Sequence, residues 1–277
     1  MGLRINTNVG SIGAQRRLSV VNERLKSNFR KLSSGERITM AADDAAGLAI
    51  SEKLKSKIRS MTQAKRNTAD AISLIQTAEG GLSEISNIVI RLRELAIQSA
   101  SDTVGEQERA FSDIEFQQLK EEIDRISRSN EFNGRKLLDG TGGLVDFQIG
   151  VNNDPQLDRL VYDSFTTDGT IESLGMLEST VTTKVGSQQS LGVLDNALVK
   201  VSGIRANLGA LQNRLQSVIA NLAVNHENLS AANSRIRDVD VASETAELTR
   251  NTVLQQAGIS VLAQANASPQ SALKLIG

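Results

Sequence analysis

The chain has 277 residues and balances 31 Lys and Arg against 32 Asp and Glu, with seven aromatics, two prolines, one histidine and no cysteine. Zero cysteine excludes a disulfide scaffold, thiolate catalysis and every Cys-ligated metal site, and one histidine argues against a His-rich metal site or a conventional nucleophile–His–acid triad. The hydrophobic share is 39% and is almost all Ala, Val, Ile and Leu, which suits narrow helix seams better than one large core.

The length allows one to two domains. The even charge total hides an asymmetry: residues 1–66 carry fourteen basic and five acidic side chains, residues 67–130 six and twelve. A basic N-terminal arm is a nucleic-acid candidate, but Phe29 is its only aromatic, so stacking platforms are missing. Complementary helix faces account for the asymmetry better, and no nucleic-acid partner is expected. The first seventeen residues lack the apolar run of roughly 7–15 residues that a cleaved secretory signal needs. The longest uncharged stretch, Asn251 to Leu273, is laced with Gln, Asn and Ser, so no membrane insertion is expected.

In chain order, Leu18, Val21, Leu25, Phe29 and Leu32 step by 3, 4, 4 and 3 and share one helix face. Turn residues Ser33-Ser34-Gly35-Glu36 end that pattern, and Asp43 or Asp44 offers an N-cap for a second helix. In it Leu54, Met61, Thr68, Ile75, Leu82, Val89 and Ala96 recur every seven residues, with Ile58, Ile72, Ile85 and Leu92 in the companion row. A seam sustained that long is a coiled-coil signal. After a break at Asp102-Thr103-Val104-Gly105, Phe116, Leu119, Ile123 and Ile126 mark a third helix.

The middle changes period. Asn133-Gly134 and Asp139-Gly140 are turn dipeptides. Val145, Phe147 and Ile149 alternate with polar residues as in a strand, and Leu160 to Phe165 supplies a second. Ser, Thr and Gly dominate from Ser164 to Ser190, where hairpins and loops are expected. Next, Leu191, Leu194, Leu198, Val201, Ile204, Leu208, Leu211, Leu215, Val218 and Leu222 alternate steps of 3 and 4, except that the step into Ile204 repeats a 3 and overwinds the seam without ending it. Asn225 takes the next seam slot before Leu229 and Ile236. A last helical pattern runs from about Val241 to Ala265 and stops near Pro269, with Asn251 expected on its surface. The fold class is therefore mainly α: long antiparallel coiled-coil helices from both chain ends with a small β-hairpin insert in the middle.

The long seams of 54–96 and 191–236 can pair within one subunit. That leaves 1–32 and 241–277, whose narrow aliphatic stripes cannot hold isolated helices. Full burial of a Leu or Val gives about 1.5–3 kcal/mol, against roughly 1–2 kcal/mol per residue for ordering the backbone. Such ends pair with each other and with neighbouring copies, or stay disordered.

No constellation for chemistry emerges. His226 lacks the second His four residues on that a zinc-peptidase helix requires. Asp43-Asp44 reads as helix capping, Gly140-Thr141-Gly142-Gly143 as a turn, and Asn152-Asn153-Asp154 lacks the spacing of a calcium loop. No catalytic residue, metal ligand or cofactor is expected, and the chain reads as a non-enzyme.

Several long motifs resemble those of bacterial flagellins. They are Leu32-Ser33-Ser34-Gly35-Glu36-Arg37-Ile38, Ala42-Asp43-Asp44-Ala45-Ala46-Gly47-Leu48-Ala49-Ile50, Arg93-Glu94-Leu95-Ala96-Ile97-Gln98-Ser99, Phe132-Asn133-Gly134, and Leu254-Gln255-Gln256-Ala257-Gly258 through Val261-Leu262-Ala263-Gln264-Ala265-Asn266. The resemblance implies an inner terminal coiled-coil domain from 1–42 plus 238–277. It implies an outer helical domain over 43–237 with a β-hairpin region at about 133–190, and only 164–190 in place of the large variable domains. It also implies a structural subunit of the flagellar filament, secreted through the flagellar export apparatus and located outside the cell. The implied partners are further copies of itself, an export chaperone at the C-terminal segment, filament cap and hook-junction proteins, and an animal Toll-like receptor. The receptor contacts carried over are Arg91, Leu95 and Glu115. The assembly stripe expected from the pattern is Leu18, Val21, Leu25, Leu32, Leu254, Ala257, Val261 and Ala265. Two other readings are a hook–filament junction protein of the same family and, from a different class, an intracellular coiled-coil adaptor or nucleic-acid binder. The second leaves the paired terminal signatures unexplained.

Overall fold

The computed structural model describes the backbone of residues 7–276 and the side chains of residues 7–268. The elements are α1 (Val9–Ser34), α2 (Ala45–Ser99), α3 (Glu106–Ser129), β1 (Glu131–Phe132), β2 (Arg135–Lys136), β3 (Leu144–Gln148), β4 (Arg159–Asp163), a 3-10 turn at Ser164–Thr167, α4 (Ile171–Leu174), α5 (Lys184–Arg237) and α6 (Val241–Ile276). The mainly helical class with a central β insert holds. Two compact units form, Met1–Ile58 with Glu227–Gly277, and Arg59–His226.

In the unit spanning 59–226, the heptad rows become the core. Thr68, Ile75, Leu82, Val89 and Ala96 are buried on α2, with Ile85 and Leu92 beside them. Leu194, Val201, Leu208, Leu215 and Leu222 are buried on α5, and Phe116 and Ile123 on α3. The helix α5 runs unbroken through the shortened step at Val201–Ile204, as an overwound seam does. The pairing of α2 with α5 is antiparallel, as the ion pairs Glu79–Arg205 (2.8 Å) and Arg93–Asp195 (2.6 Å) show. Seam slots fail where the pattern turns polar: Asn225 is exposed and donates to Asn221 instead of entering the seam.

Asn133-Gly134 forms a turn, while at Asp139-Gly140 the chain bends, with Gly140 at a φ of 73° and the Asp139 carboxylate accepting from the Thr141 N–H. Asn133 and Gly134 take left-handed φ values of 50° and 77°, the mirror-image geometry that a two-residue hairpin favours, and they join β1 to β2. The second hairpin pairs β3 with β4 in antiparallel register, Phe147 opposite Leu160 and Val145 opposite Tyr162. Tyr162 is buried, and its hydroxyl donates to the Leu137 carbonyl at 2.8 Å.

The hairpins expected between Ser164 and Ser190 are absent; strands end at Asp163. This segment forms the 3-10 turn, the single helical turn α4 and a loop, because its backbone finds side-chain partners in place of a ladder. Lys120 donates to the carbonyls of Leu177 (2.9 Å) and Ser179 (3.0 Å), and the Asp113 carboxylate accepts from the Val181 N–H (2.9 Å). Leu174, Met176 and Val181 can then bury against the helices. Burial pushes the Lys120 ammonium below its usual pKa, with Asp113 opposing.

At the other boundaries, Asp44 caps α2 by accepting from the Gly47 N–H, while Asp43 accepts from the Thr39 and Met40 N–H groups. The backbone of α6 continues through Pro269 to Ile276. A proline removes one N–H donor and crowds the preceding turn, but flanking residues can carry the helix past it.

Phe116 has no exposed surface, whereas Leu144 is 62% exposed. Phe116→Ala is expected to lower stability by about 3–5 kcal/mol and Leu144→Ala by well under about 1 kcal/mol, measured by denaturant unfolding.

Candidate assembly surface at the paired chain ends

The other unit, 1–58 with 227–277, is organised by α1 and α6. Asn8 caps α1 by accepting from the Ser11 N–H, and Gly35, at a left-handed φ of 72°, ends it. The two helices run antiparallel, and their Cα atoms come within 8 Å of one another along the pair. Small residues permit this closeness: a Cβ on Gly258 would stand 3.4 Å from Leu18 Cδ1.

The seam between them interleaves polar residues with the expected aliphatic ones. On α1 the inward row is Ser11, Ala14, Leu18, Val21, Leu25, Asn28 and Leu32; on α6 it is Glu244, Leu248, Asn251, Gln255, Gly258, Leu262 and Ala265. Both rows alternate steps of 3 and 4, the spacing of a coiled coil. Asn251 is buried at 1% exposure, not on the surface, and donates to Asn28 Oδ1 at 3.1 Å. In turn Asn28 donates to Glu244 (2.7 Å), and Lys31 approaches the same carboxylate at 3.8 Å. Further along, Gln255 donates to Asn22 (2.7 Å), Asn8 to the Ala265 carbonyl (2.7 Å) and Ser11 to Asn266 (2.7 Å). Asn28 therefore occupies the slot that the periodicity assigned to Phe29, which is 58% exposed.

The expected stripe is split by this seam. Leu25 is buried; Leu18, Val21, Leu32 and Ala265 are half-buried. Leu254 and Val261 are 46% and 59% exposed, and Ala257 is exposed as well. Leu18 and Val21 meet Leu254, Ala257, Gly258 and Val261 around an open groove of about 760 Å³, with Arg16, Arg17 and Arg24 also lining it. Val9, Ile12 and Val20 on α1 and Val241, Val253 and Ile259 on α6 are exposed too. Single exposed apolar residues are ordinary, but this many on one helix pair mark an interaction surface.

Two chain crossovers are stitched together beside this pair. The Arg37 N–H donates to the Arg237 carbonyl (2.6 Å) and the Val239 N–H to the Gly35 carbonyl (3.0 Å). The Arg237 guanidinium pairs with Glu52 (2.5 Å) and Glu36 (2.8 Å), which raise its pKa. Neither this node nor the polar seam was singled out from sequence. The signal for the seam existed, since Asn251, Gln255, Gly258 and Leu262 are themselves spaced by 4, 3 and 4.

The receptor residues carried over fall in the unit spanning 59–226. Arg91 is exposed and pairs with Glu94 (3.0 Å) and Glu115 (2.9 Å). Leu95 lies within the core at 3% exposure. His226 is half-buried on α5. Among the described residues no group of His, Cys, Asp and Glu could hold a metal ion, and no helix is long and apolar enough to cross a membrane.

What the geometry defines is a helical subunit whose chain ends pair with each other and present unfilled apolar surface. The N-terminal helical region of bacterial flagellin matches residues 5–142, and its C-terminal helical region matches residues 191–276. The chain is 45% identical over 272 residues to a flagellin of Halalkalibacterium halodurans, covering 98% of this chain and 99% of that one. It is 43% identical over 303 residues to a Bacillus subtilis flagellin, covering 99% and 100%. The crystal structure of Bacillus cereus flagellin superposes with a TM-score of 0.51 at 32% identity, over 61% of this chain and 94% of that one. The chain belongs to the bacterial flagellin family.

Losing one member of a buried polar chain costs more than losing the chain, because its partners stay desolvated and unpaired. Asn28→Leu alone is expected to speed amide exchange in both α1 and α6, by about 1–3 kcal/mol of lost protection. Asn28→Leu combined with Asn251→Leu is expected to recover much of it.

Proposed function

We infer that this chain is the structural subunit that polymerises into the bacterial flagellar filament for motility. One observation carries the inference: α1 and α6 pair through a mixed polar and aliphatic seam and leave further aliphatic residues, Leu254, Ala257 and Val261 among them, exposed beside it. An isolated molecule gains nothing from those exposed side chains, whereas a polymer buries them. The family is structural, and its members form the extracellular filament.

Within that reading, 1–42 with 238–277 acts as the inner coiled-coil domain and 43–237 as the outer one. The subunit leaves the cell through the flagellar export apparatus, with an export chaperone holding the segment from 241 onward. Cap and hook-junction proteins meet the two ends of the polymer. The run Arg91 through Ser99 together with Phe132-Asn133-Gly134 supports a filament subunit over a hook–filament junction protein.

Seeded growth tests the inference. Leu254→Asp and Val261→Asp are expected to cut elongation at least tenfold, because each places an unpaired charge in a buried contact, while circular dichroism of the monomer stays unchanged. Leu177→Asp, on a side chain 68% exposed in the other unit, is expected to elongate normally. Normal growth of the first two variants overturns the assembly role of this surface.

The resemblance also supports recognition of the free subunit by an animal Toll-like receptor. The exposed Arg91–Glu115 pair offers a planar multidentate donor beside a carboxylate, the kind of group that anchors interfaces. Leu95 serves this surface only by packing beneath it. Arg91→Ala and Glu115→Ala are each expected to weaken reporter-cell signalling by about 1 kcal/mol or more, near fivefold. Signalling equal to the unsubstituted monomer from both variants rejects the assignment.

A further inference from the structure

The groove between α1 and α6 carries charge that its own subunit does not answer. Arg16, Arg17 and Arg24 line it, and none of the three forms an ion pair among the described residues. The whole of α1 holds six basic residues and one acidic residue, Glu23. From Asn251 to Leu273, α6 holds no charge. The rest of the lining is aliphatic or small: Leu18 and Val21 across from Leu254, Ala257 and Val261. A complementary occupant therefore combines an apolar side chain with flanking carboxylates.

One exposed segment of the same unit has that composition. Asp238-Val239-Asp240-Val241-Ala242 sits at the start of α6, with Asp238 and Asp240 exposed and Val241 58% exposed. Farther along α6, the acidic residues are already committed: Glu244 to Asn28 and Lys31, Glu247 to Arg250. Asp238 forms no ion pair among the described residues, and Asp240 uses only its Oδ1, as the cap accepting from Ala242 and Ser243.

We propose that this groove seats the Asp238–Ala242 segment of a second copy of the chain, Val241 entering the aliphatic cleft and the two aspartates meeting Arg17 and Arg24. The proposal rests on the filament reading and names the contact within it. A molecule cannot fill its own groove in this way, because Val241 lies sixteen residues before Ala257 along α6, about 24 Å at 1.5 Å per residue. The donor is a copy displaced by about that distance along the helix pair. Groove and segment are different patches, so each copy gives one and receives one. Such a head-to-tail contact does not close between two molecules; it continues as a filament. The opposed charges set its register, since a slide along the groove separates them.

The absence of cysteine makes the test clean, because an introduced pair has no competitor. In full-length Val20→Cys/Val241→Cys subunits elongated on seeds, mild oxidation is expected to give a ladder of disulfide-linked dimers, trimers and longer species. The same protein oxidised as monomer stays unlinked, and so does each single variant in filaments. In parallel, Arg24→Glu and Asp238→Arg are each expected to slow elongation at least tenfold, and the double variant to recover most of the rate. Asp240→Asn, which keeps a capping side chain but not the charge, slows it as well. Filaments without a ladder, charge variants that elongate at the parent rate, or a failed rescue overturn the proposal while leaving the filament function standing. Ladders that appear only with another protein assign the groove to that partner and overturn it too. Failure of the unsubstituted chain to elongate on seeds removes the filament reading itself.

Discussion

Everything at the chain ends depends on how the seam between α1 and α6 is paired. Two helices that face each other through Asn28, Asn251, Asn22 and Gln255 beside Leu18, Val21, Leu25 and Leu262 bury only part of their aliphatic surface against each other. Each hydrogen bond contributes only about 0.5–1.5 kcal/mol net. What the polar residues supply is register, because a shift by one turn leaves buried amides unpaired. Leu254, Ala257 and Val261 on α6 stay on the outside of that seam. Specificity within the subunit and affinity between subunits are thereby assigned to different faces of the same two helices.

The unit spanning 59–226 is built on the opposite principle. Its seam is aliphatic over most of its length, from Ile75 to Ala96 on α2 and from Leu194 to Leu222 on α5, with Phe116 and Tyr162 adding area. Its loop from 175 to 181 is tied down by Lys120 and Asp113 on α3. That unit carries its own buried core. The contrast fits a subunit whose unit spanning 59–226 has its own core and whose paired ends keep apolar surface for contacts between copies.

The legible parts of this fold were those where one rule dominated. Seven-residue repeats placed α2 and α5, the turn dipeptide Asn133-Gly134 placed the first hairpin, and alternation at Val145–Ile149 placed β3. Composition misled at 164–190, where Ser, Thr and Gly suggested hairpins; the few aliphatic residues there, Leu174, Met176 and Val181, decided the outcome by burying. At the terminal pair, following only apolar residues put Phe29 on the seam and Asn251 on the surface. A helix has several faces with acceptable spacing, and a single copy does not say which face meets its own partner and which meets another molecule. The family motifs made the function readable, but the groove and its arginines needed the helices brought side by side.

That ambiguity is itself a physical property of such ends. If the most apolar face of α6 had turned inward against α1, the pair would bury more on its own and would offer a neighbour less apolar surface. With Leu254, Ala257 and Val261 turned outward, contacts between copies have aliphatic surface left to bury. The monomer keeps the burial of Leu25 and its half-buried neighbours together with the register that the amides set. The arginines on α1 fit the same division: unpaired at the groove, they are hydrated in the free subunit and gain carboxylate partners only from another copy. An electrostatic contact of this kind adds modest affinity but strong orientation, which a polymer built from identical, directional contacts requires.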